Sequence, residues 1–259
     1  YGEGTATPQL LTEAHAAAKD HKVPLHLHAG YVPKGAEIYR EMTGMNQIEH
    51  FAELGILDPR TVLVHANILN EREELLVAET GAQLVWCPTA FFSLGLNASK
   101  DIFRMTDRHT RGVAISLGSD GAFDATPAAN MLSARQISQH FNQPLSPEIL
   151  LEMQTINAAK AAGLENSIGS IESGKKADII IRQANTAEAA QGNNPAHTLG
   201  LIIGTGSVDT VLVDGEKIFQ SGHSTRVDEG AIAKTLSESI AKRAARLGIN
   251  PNAGWPVRR

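Results

Sequence analysis

Three short apolar runs of the chain end in groups that can bind a metal or move a proton. His26 and His28 lie two residues apart in the first run, His65 ends the second, and Asp120 follows another run. Residues two apart on a β-strand face the same side, so both imidazoles of the first run can point into one pocket. Imidazole and carboxylate are ligand types that zinc prefers, and a carboxylate beside a metal can accept a proton. Together these residues predict a binding site for a divalent metal.

Each of these groups also has an ordinary structural interpretation. A buried histidine pair can be satisfied by backbone groups, and an aspartate after Gly-Ser is a common turn residue or helix cap. Cys87 ends a further apolar run and is more typical of a packed thiol than of a pocket residue. The combination favours a site, because the groups follow successive elements of one repeating pattern.

That pattern is an alternation of short apolar runs with helix-forming stretches. The runs cover residues 23–28, 61–65, 83–87 and 112–117, and the helical stretches cover residues 7–21, 34–43, 70–80 and 99–110. Runs that do not alternate with polar residues are typical of a parallel sheet covered on both faces. Because functional groups lie at the carboxyl ends of strands in a parallel α/β barrel, we expect these strand ends to share one rim.

The remainder of the chain does not continue this alternation of apolar runs and helices. Two further helices are predicted at residues 126–141 and 146–162, followed by strand-rich stretches at 168–182 and 208–219. Asp214 and Gly215 form a tight hairpin signal in the second of these stretches. A last amphipathic helix is predicted at 228–247, with Asp228 as its cap.

Composition excludes several classes of partner. The 259 residues are 42% hydrophobic and 20% charged, with a formal net charge of −5 and no blocks of basic residues. Nucleic acid and anionic membrane are therefore not expected as partners. A single cysteine excludes an internal disulfide framework. With no visible signal peptide or membrane span, the expected location is the cytoplasm.

Several stretches resemble the amidohydrolase superfamily, in its metal-dependent deaminase and chlorohydrolase branch. The stretches are residues 24–28, 49–65, 86–89, 115–120, 155–178 and 208–222. The resemblance implies an α/β protein with a TIM-like (β/α)8 barrel, of which this chain carries strands 5–8, and a small β-sandwich. The domains expected from it are a C-terminal barrel half at 1–163, a β-sandwich segment at 164–225, and a helix and tail at 226–259.

The resemblance also implies roles for particular residues. His28 would bind the metal, and Asp120 would bind it and take a proton from its water. His65 would orient and polarise the substrate, or bind a second metal. The implied cofactor is one divalent ion, zinc first, with iron, manganese or cobalt as alternatives. The implied reaction cleaves a C–N or C–Cl bond of a small nitrogenous substrate, heterocycles included, in a homo-oligomeric enzyme.

Two features depart from the family pattern near the expected pocket. Tyr31 stands where deaminases of this branch carry a glutamate that protonates the substrate ring, and tyrosine is a far weaker acid. An amide, urea or thioester hydrolase without such an acid is therefore the alternative. Phe91 and Phe92 stand where relatives are often polar, which suggests contact with an apolar substrate or simple packing under a loop.

The largest departure concerns the first half of the barrel. His28 and Asp120 are separated by roughly 90 residues, enough for about three βα units and not seven. His26 and His28 therefore correspond to the fifth strand and not to the metal-binding pair of the first. We expect the N-terminal barrel half to be encoded upstream or supplied by another chain. A catalytically silent relative that keeps the scaffold is the competing interpretation.

Overall fold

The computed structural model of the 259-residue chain describes residues 4–93, 104–121, 126–183, 194–199 and 207–249, without the side chains of residues 91–93. Contacts divide the chain into two compact units. The first comprises Tyr1–Ala177 and Gln183–Ser207, and the second comprises Asp178–Arg182 and Val208–Arg259.

The first unit is built on a parallel sheet of four strands. They are β1 (Leu25–Ala29), β2 (Thr61–His65), β3 (Gln83–Trp86) and β4 (Ile115–Leu117), hydrogen-bonded in the order β1-β2-β3-β4. Neighbouring strands are parallel, and Ala29 is in register with His65. Strand β4 is buried throughout and β2 at four of its five positions. The predicted parallel sheet is confirmed, whereas burial on both faces holds for β2 and β4 and not for β1 and β3, whose buried positions alternate with less buried ones.

Ten helices of the first unit lie in the described residues. They are α1 (Pro8–Asp20), α2 (Pro33–Thr43), α3 (Gln47–Glu53), α4 (Glu71–Thr80), α5 (Pro88–Ser93), α6 (Met105–Thr110), α7 (Pro127–His140), α8 (Pro147–Gln154), α9 (Ile156–Ala161) and α10 (Pro195–His197).

Local sequence accounts for where several of these helices begin and end. The Thr7 hydroxyl accepts a hydrogen bond from the Leu10 N–H, and Pro8 follows at the first helical position. Asn70 and Glu73 form a reciprocal capping box at the start of α4. That helix ends at Gly81, whose φ of 72° is left-handed. These signals agree with the sequence-based boundaries.

Two sequence-based predictions about helices and strands need correction, and two short helices were not predicted. The helix predicted at 146–162 is interrupted at Thr155, whose φ of −119° and ψ of −93° are not helical, so α8 and α9 are separate. In the stretch 168–182 only Ile179–Arg182 is a strand. Helices α3 and α5 were not predicted, because each is only one to two turns long. Helix α6 begins at Met105, and the preceding residues 94–103 lie outside the described part.

The second unit is an antiparallel sheet followed by a helix. Its strands are β5 (Ile179–Arg182), β6 (Val208–Val213), β7 (Glu216–Gln220) and β8 (His223–Ser224), in the order β5-β6-β7-β8. Asp214 and Gly215, with φ of 52° and 79°, form the predicted hairpin between β6 and β7. Helix α11 (Glu229–Arg246) begins after Asp228, whose carboxylate accepts from the Ala231 N–H as predicted.

Among the described residues, no helix combines the length and apolar character needed to cross a bilayer. The assignment of β1–β4 to strands 5–8 of a closed barrel remains a prediction, as do the β-sandwich and its domain boundaries.

Candidate active site

The carboxyl ends of the parallel strands bring the predicted catalytic groups together. His28 is the fourth residue of β1, His65 is the last of β2, and Asp120 lies three residues beyond β4. The imidazole rings of His28 and His65 have centroids 5.0 Å apart. His65 Nε2 lies 3.9 Å from Asp120 Oδ2. The sequence-based grouping of these three residues is therefore reproduced in the geometry.

Tyr31 also reaches this group. Its ring centroid lies 4.2 Å from that of His65, with 32° between the planes. The backbone carbonyl of Tyr31 accepts a hydrogen bond from Asn67 Nδ2 at 3.2 Å. The side chain that replaces the expected glutamate thus stacks against the imidazole at the end of the neighbouring strand.

Burial controls the charge of the two imidazoles. It lowers the pKa of His65 to about 4, reinforced by His28 and opposed by the carboxylate of Asp120. Burial also lowers the pKa of His28, although the negative charge of Asp120 opposes the shift there too. Both rings are therefore neutral near pH 7, the state in which imidazole nitrogen can bind a metal or accept a proton. The 3.9 Å contact of His65 with Asp120 is accordingly not an ion pair at that pH.

The backbone at this rim adopts conformations that are unusual for residues with side chains. His65, Ala66 and Asp120 have φ of 77°, 46° and 51°. Left-handed conformations at non-glycine residues cost free energy and are concentrated at functional sites. The strand ends are thus held in geometries that the surrounding structure must impose.

Glycine is required at two positions of the rim where a Cβ would come too close to a neighbouring element. A Cβ on Gly30, which has φ of 56°, would lie 2.7 Å from the Ile68 carbonyl oxygen. A Cβ on Gly118 would lie 2.6 Å from Val85 Cγ1. These two positions let the chain turn directly after β1 and β4, which sets where Tyr31 and Asp120 project.

His26 does not join the group around His65. Its Nε2 lies 2.8 Å from the backbone carbonyl oxygen of Ala161 and donates to it, which is the structural role weighed for this pair. Cys87 is buried, and burial with the nearby charge of Asp120 raises its thiol pKa to about 12. The thiol is therefore un-ionised and packed, as expected. Phe91 and Phe92 belong to α5, but their side chains lie outside the described residues.

The donor types of the site suit a divalent metal, although the set is small. Neutral imidazole and carboxylate are both zinc ligands. A structural zinc site commonly has four ligands, which is more than this group provides. Within the described ranges, no group of three or more His, Cys, Asp or Glu side chains is arranged to hold an ion. His28 and Asp120, with His65 beside them, supply part of a coordination sphere.

Sequence reasoning missed the polar side chains beneath the rim. Gln47 accepts from the Gly30 N–H at 3.0 Å and donates to the His28 carbonyl at 3.3 Å. Arg108 and Glu74, on α6 and α4, form a buried ion pair. No local signal singles out this pair, because α4 and α6 carry several other charged side chains and the two partners lie on different helices.

Comparison with proteins of known sequence gives consistent similarity to deaminases. The chain is 27% identical over 246 residues to a 5-methylthioadenosine/S-adenosylhomocysteine deaminase of Acetivibrio thermocellus, covering 92% of this chain and 56% of that protein. It is 28% identical over 246 residues to a 5'-deoxyadenosine deaminase of Methanothermobacter thermautotrophicus, covering 92% and 55%. The chain therefore spans slightly more than half the length of these relatives.

Solved structures give the same picture for the fold. An adenosine deaminase from Xanthomonas campestris with bound zinc matches with a TM-score of 0.86 at 21% identity, over 93% of this chain and 55% of that one. An atrazine chlorohydrolase from Arthrobacter aurescens complexed with zinc matches with a TM-score of 0.78 at 21% identity, over 90% and 52%. The amidohydrolase family model matches residues 1–218. The chain therefore belongs to the amidohydrolase family.

Proposed function

We propose that this chain carries the C-terminal part of the active site of a metal-dependent hydrolase that cleaves a C–N or C–Cl bond of a small nitrogenous substrate. One observation supports the proposal above all others. The ends of β1 and β2 and the loop after β4 bring His28, His65 and Asp120 to one rim, with 5.0 Å between the imidazole centroids and 3.9 Å from His65 to Asp120. The deaminase and chlorohydrolase names of the similar proteins support the same reaction class.

The side chains of this chain would have different roles in the proposed reaction. His28 and Asp120 would hold a divalent ion, zinc first, with iron, manganese or cobalt also compatible with these ligands. Such an ion, when bound, makes a water molecule acidic enough to lose a proton near neutral pH. Asp120, whose carboxylate is partly exposed, would take that proton and pass it to the leaving group.

His65 is suited to orienting the substrate or to binding a second metal. Its low pKa keeps the ring neutral, so one nitrogen can accept a hydrogen bond while the other donates. Phe91 and Phe92 remain candidates for contact with an apolar part of the substrate. Because similar proteins are named as 5-methylthioadenosine/S-adenosylhomocysteine deaminase and 5'-deoxyadenosine deaminase, an adenine nucleoside is the first substrate to test.

We further infer that β1–β4 are strands 5–8 of an eight-stranded barrel. Within the described residues, β1 pairs with β2 alone and β4 with β3 alone, which leaves both edges of a parallel sheet open. The solved neighbours are nearly twice as long as the matched segment. The first half of the barrel would bring the remaining metal ligands, and the domain boundaries would follow as 1–163, 164–225 and 226–259. The enzyme is proposed to be cytoplasmic and homo-oligomeric.

The test is metal content by mass spectrometry, measured on this chain purified together with the segment that completes the barrel, with both intact masses verified. We expect about one transition-metal ion per chain, lost in His28→Ala and Asp120→Asn. Asp214→Asn is the matched control, because it makes the same change at another left-handed aspartate, in the β6–β7 hairpin. Absence of bound metal from a folded sample after zinc is added would refute the hydrolase and leave a silent scaffold.

Tyr31 favours a second candidate, a hydrolase of amide, urea or thioester bonds that needs no ring-protonating acid. Its ring lies against His65, where it can donate a hydrogen bond but is a poor acid at neutral pH. Parallel assays with an adenine nucleoside and with simple amides separate the two candidates. Turnover of amides alone would favour the second, and its loss in Tyr31→Phe would assign the hydroxyl a role.

A further inference from the structure

Arg108 is a fully buried arginine whose hydrogen bonds reach the active-site rim. Its guanidinium is 1% exposed and pairs with Glu74 on α4. Nε donates to the two carboxylate oxygens at 3.0 and 2.9 Å, and Nη2 donates to Oε1 at 2.7 Å. On the other side, Nη1 donates to the backbone carbonyl of Ala66. One side chain thus joins helices α4 and α6 to the residue that follows His65.

The peptide unit that Arg108 contacts lies in a strained turn. His65 and Ala66 have φ of 77° and 46°, two successive left-handed residues that both carry a Cβ. Such a conformation persists only where other contacts enforce it. The Ala66 N–H donates to the Ala29 carbonyl at 2.8 Å, at the end of β1. Ala66 is therefore held through its N–H by one strand and through its carbonyl by Arg108.

The ion pair is more elaborate than packing alone requires. Burying two charges has a desolvation cost that an apolar pair of similar volume would avoid. Arginine, unlike lysine, presents its donors in a planar fork and can serve a carboxylate and a carbonyl at once. Glu74 neutralises the positive charge that this arrangement buries. A second cation, Arg104, lies nearby, with its Nη1 4.0 Å from Glu74 Oε1. The geometry is that of a support for the turn.

We propose that Arg108, oriented by Glu74, is a positioning residue that holds the left-handed turn at His65 and Ala66 and so fixes the imidazole of His65 against His28 and Tyr31. The consequence for catalysis rests on the proposed hydrolase function. The effect on the His65 turn does not, and it can be measured whether or not the protein turns over a substrate.

The first test compares Arg108→Lys and Arg108→Gln with Arg111→Gln, a half-exposed arginine one residue beyond α6. NMR of selectively labelled histidine, with the His65 signal assigned from a His65→Gln variant, reports the backbone through its 13Cα and 13Cβ shifts. We expect the His65 signals to move away from left-handed values in both Arg108 variants and to stay in Arg111→Gln. Arg108→Lys keeps the charge of the pair, so the same movement there shows positioning and not charge balance.

The second test asks whether glycine can replace the support. Arg108→Gln should lower the melting temperature by about 10 °C, and Ala66→Gly in the same chain should recover part of that loss because glycine tolerates φ of 46°. Ala78→Gly, in the body of α4, is the control and should lower stability further. If Arg108→Gln alone does not fold, recovery of soluble protein by Ala66→Gly is the supporting result.

Two results would overturn the proposal. The first is an unchanged His65 signal in a folded Arg108 variant. The second is a double variant, Arg108→Gln with Ala66→Gly, that is no more stable or soluble than Arg108→Gln, which would make the arginine a partner of Glu74 only. Failure of the hydrolase proposal gives a different pattern, since the wild-type protein would then lack activity and metal while these NMR and stability differences remained.

Discussion

At the scale of single residues, Gly30 offers a way to measure how closely the strand ends must approach. Replacement by alanine adds a Cβ 2.7 Å from the Ile68 carbonyl oxygen at a residue with φ of 56°. We expect a loss of unfolding free energy of about 3 kcal/mol, from the left-handed backbone and the contact together. Urea denaturation gives the value.

Gly44 is the matched control for that substitution. It ends α2 with φ of 76°, and a Cβ there would meet nothing within 4 Å. Gly44→Ala should therefore cost about 1 kcal/mol, from the backbone alone. Equal losses at the two glycines would mean that the approach of residue 30 to Ile68 does not constrain the rim.

At the scale of elements, α3 supports the turn after β1 through Gln47. Its buried side chain accepts from the Gly30 N–H and donates to the His28 carbonyl. Gln47→Leu leaves both backbone groups without these partners, so we expect a loss of about 1–3 kcal/mol and faster hydrogen exchange at Gly30. Gln83→Leu, which removes an exposed hydrogen bond to the Pro59 carbonyl, is the control. Unchanged hydrogen exchange at Gly30 would show that the turn after β1 does not depend on Gln47.

A second contact between elements predicts a pH dependence. His15 on α1 bonds to Asp58 before β2, with 2.9 Å between Nε2 and Oδ2. Partial burial alone would raise the pKa of Asp58. Its bonds to His15 and to the Arg60 N–H outweigh that effect and lower the pKa below the ordinary value of 3.8.

Because the folded state holds Asp58 at a lower pKa than the unfolded state, the contact stabilises the protein above pH 4. That stability is lost as pH falls through the lowered value. Asp58→Asn should therefore reduce stability at pH 6 and narrow its difference from wild type at pH 3, measured by urea denaturation. A difference that does not change between those two pH values would contradict the assignment.

The elements that could be predicted from the sequence are those with local causes. Apolar β-branched runs gave the four parallel strands, and Asn70, Asp228 and the Asp214–Gly215 pair marked two helix starts and a hairpin. The break at Thr155 carries no such signal, because threonine is tolerated in helices. The Arg108–Glu74 pair could not be predicted either, since its members lie on different helices and meet only when these pack. The sequence therefore predicted the side chains of the candidate site but not the buried polar contacts that hold them in position.

At the scale of the whole molecule, the open edges of the parallel sheet predict association. Strands β1 and β4 each have one neighbour within the described ranges, and unpaired edges of apolar strands bind other chains. Expressed as 259 residues, the protein should sediment as species larger than 27.7 kDa and bind a hydrophobic dye. Co-expression with a segment that completes the barrel should suppress both properties and raise metal content. A monodisperse 27.7 kDa monomer that binds no dye would contradict the half-barrel assignment, because the sheet would then need no partner.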